Sequence, residues 1–164
     1  MDGAQDERTT RRHPHRLCSE VHGIPEQVVF VTVRAKPGIN LAAPDSANRM
    51  IEAMGRMAGR HNVSVHAYCI MPDHVHFVVS CAGEGGDIRK WIRYTKRQTA
   101  GALGIAGLWQ RSYWDRHARK DDDVKEMVRY ALCNPVRREL CDRFEAWPYS
   151  WSEWHPETRG VRPS

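Results

Sequence analysis

Apolar and polar positions change period several times along the 164-residue chain, and each change marks an element. Residues 28–35, VVFVTVRA, alternate and are rich in β-branched side chains, which predicts a strand. After the loop 36–46, Met50, Ile51, Met54 and Met57 recur at helical spacing. That predicts an amphipathic helix over 47–61 with Asp45 or Ser46 as its N-cap. VSVHAYCI (63–70) and HVHFVVSC (74–81) read as two strands joined by a tight Met-Pro-Asp turn. A Gly-Glu-Gly-Gly turn leads into a helix from Asp87 to Leu103, and a short aromatic, basic strand follows over 109–119. The last helix runs from Asp121 to Asn134, where Pro135 stops it. Residues 1–24 read as a basic, Pro-punctuated tail, 25–152 as one domain with a packed extension at its end, and 153–164 as a frayed tail. The order β-α-β-β-α-β-α predicts an α+β domain, an antiparallel sheet with helices mainly on one face.

Composition narrows the functions open to such a domain. No apolar run approaches the roughly 18 residues that span a bilayer, and the N-terminus lacks an apolar signal segment, so a cytoplasmic protein with no membrane partner is expected. Cys18, Cys69, Cys81, Cys133 and Cys141 form no CxxC pair, which suits reduced thiols and argues against structural zinc. A net charge of +5, a pI of 9.1 and a preference for arginine over lysine put nucleic acid first among partners.

Three constellations carry chemistry. His74 and His76 lie two apart in a strand, so they project to one face roughly 7 Å apart at the backbone. They could converge on one metal ion, or be two ordinary surface histidines. His66, alone on the preceding strand, reads as structural. In the last helix Val124, Met127, Val128, Ala131 and Leu132 form the buried stripe. Tyr130 lies away from its centre, with Asn134 one turn further on the same side. Tyr130 is either half-packed at the helix edge or a phenolic nucleophile beside a metal, with Asn134 offering a further ligand oxygen. The third constellation is basic. Arg89, Arg93, Lys96 and Arg97 share a helix face, and Trp109, Tyr113 and Trp114 interleave with Arg111, Arg116 and Arg119. A solvated face and a strand with aromatics inward would look the same as a phosphate track with base-stacking rings.

Taken together, the motifs resemble a known family. YCIMPDHVHFVVS (68–80) is similar to the MPNHVH signature of the HUH single-tyrosine transposases. WQRSYWDRHAR, YALCNPVRREL and WPYSW resemble the REP-associated branch, in family order over residues 26–152. The resemblance implies a ferredoxin-like or RRM-like fold. It implies His74 and His76 as a pair binding Mg²⁺ or Mn²⁺, Asn134 as a third ligand and Tyr130 as the nucleophile. Asp73 stands where asparagine is more usual, a position that shapes the turn. The implied activity is cleavage and rejoining of single-stranded DNA presented by a hairpin, through a 5′-phosphotyrosine, with no obvious general base. The basic helix and aromatic strand would bind that DNA, and the protein would act as a homodimer or a monomer. A domesticated hairpin binder that no longer cuts, and a metal-dependent phosphoesterase, are the alternatives.

Overall fold

The structure, a computed structural model, describes residues 27–119 and 121–164; the expected basic tail at 1–24 lies outside the described residues. Its elements are β1 (Val29–Ala35), α1 (Pro44–Arg60), β2 (Val63–Ile70), β3 (His74–Cys81), α2 (Ile88–Leu103), β4 (Trp109–His117), α3 (Asp121–Leu132), a single-turn α4 (Asn134–Arg137), a 3₁₀ turn (Phe144–Ala146) and β5 (Ser150–Ser152). The strands form one antiparallel sheet in the order β4-β1-β3-β2-β5. The expected α+β fold is present, with one strand more than the pattern predicts. β5 is three residues long, too short to display a period.

Alternation along the strands gives the sheet two apolar faces. Val29, Val31, Val33, Val75, Phe77 and Val79 meet α1 and α2 in the larger core. There the fully buried Trp91 sits edge-on to Phe77 at 5.2 Å and donates its indole N–H to the Met54 carbonyl at 3.3 Å. Phe30, Ala67, Cys69, Met71 and Val78 point the other way and are met by Met127, Val128, Ala131 and Leu132 of α3. Each fully buried side chain of this size contributes about 1.5–3 kcal/mol, more than a typical helix cap, so packing fixes where the helices lie. Two long helices cover one face and α3 half-covers the other.

Helix ends depart from the expected caps in two places. Neither Asp45 nor Ser46 caps α1. The helix starts at Pro44, whose fixed φ suits a first turn, after an extended Ala43 with no side-chain cap. Asp45 instead accepts from Arg49 Nε at 3.0 Å. α3 ends at Leu132, and Pro135 falls in the first turn of α4 rather than merely closing the preceding helix. α2 ends at Leu103 as expected but begins at Ile88, with Asp87 outside it as the cap: Asp87 accepts from the Lys90 amide at 2.9 Å, and Gly104 ends the helix with a left-handed φ of 65°.

Residues 153–164, read from the sequence as a tail, are held at several points. Tyr68 Oη donates to the Val161 carbonyl at 2.9 Å, and the Gly160 amide to the Ser150 carbonyl at 2.8 Å. A Cβ on Gly55 would collide with the Ser164 backbone, so α1 needs glycine at this crossing. His66 is structural, as expected. It bridges Glu153 at 2.6 Å and Ser80 at 2.7 Å and stacks on Trp154. The described cysteines Cys69, Cys81, Cys133 and Cys141 are free thiols, and no described helix is long and apolar enough to cross a membrane.

Candidate active site

His74 and His76 project from β3 on the face that α3 half-covers, and both are buried, as is Asn134 at the start of α4. The two imidazoles present Nε2 to Nε2 at 3.0 Å. Each Nδ1 is already held from outside: His74 by Asp73 Oδ1 at 2.6 Å, His76 by Thr32 Oγ1 at 2.9 Å. A carboxylate can only accept, so His74 donates from Nδ1 and turns its Nε2 lone pair inward. Asp73 therefore does more than shape the turn. Asn134 Nδ2 lies 2.6 Å from His76 Nε2, and a flip of the amide would present the side-chain oxygen there instead.

Burial sets the charge state. It pushes His76 down to about 2, helped by His74 and the arginines Arg137, Arg34 and Arg138. His74 is also lowered, chiefly by burial and against the pull of Asp73. The Asp73 carboxyl loses hydration, which favours the acid, but its bond to His74 and the nearby Arg138 outweigh that and hold it below the usual range. At neutral pH the pair is thus uncharged, the form that ligates metals. Among the described residues no group of three His, Cys, Asp or Glu could hold an ion. The donors available are two imidazole nitrogens and one amide oxygen. The two imidazole nitrogens lie 3.0 Å apart with the amide beside them, close enough together to ligate one divalent ion.

Tyr130 stands at the rim, 49% exposed. Its ring is held edge-on by His76 and by Phe30, both at 5.7 Å, while the Arg137 guanidinium lies 3.9 Å above its centroid. Arg137 also donates to the Tyr130 carbonyl at 2.9 Å. One cleft of about 200 Å³ is lined by Arg34, His74, His76, Tyr130, Asn134, Arg137 and Arg138. All four residues singled out for chemistry thus meet. The three arginines carry no expectation from the sequence. Arg34 pairs with His74 across β1–β3, a neighbour that only the register reveals. Arg137 and Arg138 fall within the YALCNPVRREL block, where α4 turns them onto the cleft.

The basic and aromatic residues divide. Arg89, Arg93 and Lys96 of α2 line a groove of about 480 Å³ with Arg111 and Tyr113 of β4; Asp87 and Lys90 border it too, so the track is not free of acid. Lys96 Nζ donates to the Gln110 and Arg111 carbonyls at 2.7 and 3.3 Å, pinning β4 to the helix. Arg97 departs from the expected set, lining another groove with Arg60, His61 and Tyr94. Trp109 also departs. It is half-buried against the core and its indole N–H reaches the Lys96 carbonyl and Thr99 Oγ1, so it anchors β4 instead of offering a stacking face. Strand alternation sends Trp114 and Arg116 to the opposite face, beside the histidines. Arg119 is exposed ahead of α3, its amide donating to Asp123 at 2.7 Å.

The chain is similar to known transposases. The family model described as "Transposase IS200 like" matches residues 21–130, a span that includes both histidines and ends on Tyr130. A REP-associated tyrosine transposase of Escherichia coli K12 is 27% identical over 100 residues, 60% of this chain, and the chain spans 59% of that relative's length. A provisionally named REP-associated tyrosine transposase of Haemophilus influenzae Rd is 26% identical over 154 residues, covering 82% of this chain and 88% of its own. A solved REP-associated tyrosine transposase bound to a REP hairpin superposes with a TM-score of 0.69 at 25% identity, over 77% of each chain.

Proposed function

Since the chain belongs to the IS200-like transposase family, we propose that it is a metal-dependent single-stranded DNA endonuclease and strand transferase of the REP-associated kind, cutting hairpin or repeat DNA through a 5′-phosphotyrosine on Tyr130. The observation that carries this reading is the convergence of His74, His76, Asn134 and Tyr130 on one arginine-rimmed cleft. His74 Nε2, His76 Nε2 and the Asn134 side-chain oxygen would hold Mg²⁺ or Mn²⁺, which when bound polarises the scissile phosphate and offsets its charge. Asp73 and Thr32 keep the imidazoles oriented for that task. Tyr130 Oη attacks phosphorus, the bond to the 3′-oxygen breaks, and the phenolic proton passes to solvent while the freed 3′-oxygen leaves as a hydroxyl. Arg34, Arg137 and Arg138 bring positive charge to the phosphate. Attack by another 3′-hydroxyl reverses the step, so joining consumes no nucleotide.

The groove of Arg89, Arg93, Lys96, Arg111 and Tyr113 would take the hairpin backbone. The similar protein solved on a REP hairpin supports hairpin DNA as the partner. A small-molecule phosphoesterase would have no use for such a groove. Because nucleophile and histidines come from the same chain, a monomer suffices for one cut. Incubation with a labelled hairpin oligonucleotide and Mn²⁺, resolved on a denaturing gel, tests the reading. A covalent adduct absent from Tyr130→Phe is expected; DNA that is retarded but never cut would favour the domesticated binder.

A further inference from the structure

Among the described residues α3 packs over β2, β3 and β5 and reaches β1 at Phe30, leaving the β4 side of that face exposed. On this side stand the exposed residues Arg34 of β1 and Ser112, Trp114 and Arg116 of β4. Trp114 is the conspicuous member, a large apolar ring 42% exposed. A single exposed indole is ordinary on a protein surface, so where it stands decides whether something covers it.

Its position says what. Thr32 pairs with Trp114 on one side and with His76 on the other, so the three lie in one cross-strand row. With strands about 4.8 Å apart, the Trp114 backbone stands roughly 10 Å from that of His76. Phe30 joins them. Its ring lies 5.8 Å from Trp114, 5.1 Å from His76 and 5.7 Å from Tyr130, so the indole and the phenol lean on the same buttress. A flat aromatic face beside arginines, on a part of the sheet that no described residue covers, is suited to an unpaired base and its backbone, whereas a base inside a duplex is already stacked on both sides.

We infer that the exposed β4 side of this sheet face is a platform for the unpaired stretch of DNA that carries the scissile phosphate, with Trp114 stacking on a base next to that phosphate and Arg116 and Arg34 along its backbone. This rests on the cleavage reading above and adds the residue that positions the strand for it. Duplex stem and single strand are then held on opposite faces of β4: the stem by the α2 groove with Arg111 and Tyr113, the strand by Trp114 and Arg116.

The experiment compares the full-length wild type, Trp114→Ala and Trp114→Phe on two DNAs, a blunt hairpin and the same hairpin with a single-stranded extension. Binding is read by fluorescence anisotropy and adduct formation at sub-saturating and saturating DNA with Mn²⁺. Trp114→Ala should weaken binding of the extended DNA about 5- to 100-fold while leaving the blunt hairpin unchanged. Its adduct rate should fall most at sub-saturating DNA, and Trp114→Phe should restore most of both. Equal affinity of wild type and Trp114→Ala for the extended DNA, or an equal loss on both DNAs, would overturn the platform. Cleavage and platform fail separately. Wild type that forms no adduct yet loses extended-strand binding on Trp114→Ala keeps the platform alone, and a normal adduct with an indifferent Trp114→Ala keeps cleavage alone.

Discussion

Asp73 is one methylene-borne carboxylate at the mouth of a turn, yet it fixes which nitrogen of His74 faces the cleft. Any side chain that accepts a hydrogen bond at that spot should serve, and one that cannot should let the ring choose its tautomer. Asp73→Asn is therefore expected to keep near wild-type Mn²⁺ affinity, since an amide oxygen can take the same Nδ1–H, whereas Asp73→Ala should lose about 10- to 100-fold, measured by calorimetric titration. Equal affinities in the two variants would mean that the acceptor is idle. At this scale the sequence was generous. His74, His76, Tyr130 and Asn134 could each be named from spacing and motif, because period two and period 3.6 say which side chains share a face. Thr32, Phe30 and Arg34 could not. Their part depends on β1 lying beside β3, a pairing between segments 44 residues apart that leaves no local trace.

For elements the outcome is divided in an instructive way. Helix α2 carries four cations that a helical wheel groups together, but the helix is round and β4 touches only one flank. Arg89, Arg93 and Lys96 turn toward that strand and Arg97 turns away. Removing a side chain that pairs with one phosphate should lower the slope of log affinity against log salt by about 1, so Arg93→Ala and Arg111→Ala should flatten the salt dependence of hairpin binding and Arg97→Ala should not. Anisotropy titrations from low to moderate salt check this; an equal effect from Arg97→Ala would mean that the DNA also wraps the far flank. β4 was readable as a strand with alternating chemistry but not as a divider. Alternation alone says that Arg111 and Tyr113 oppose Trp114 and Arg116, and only the packed neighbours say what each face is for. Cap positions were least legible, because Pro44 starts α1 by fixing φ and needs no polar side chain to announce it.

For the whole molecule, element order predicted the architecture, and the added edge strand β5 and the placement of α3 opposite the other helices complete it. That placement brings His74, His76, Asn134 and Tyr130 of one chain onto one cleft. Mixing Tyr130→Phe with His76→Ala protein should accordingly restore no covalent adduct, where two chains that lend each other parts would restore up to half; recovery on a denaturing gel would reveal exchange between subunits. Cys133 alone separates the helix bearing Tyr130 from the turn bearing Asn134. If Tyr130 carries a strand and Asn134 holds an ion, as proposed, both hang on the same few residues of backbone, so an outward swing of the phenol would move the amide with it. On that reading the recipient end travels to the enzyme.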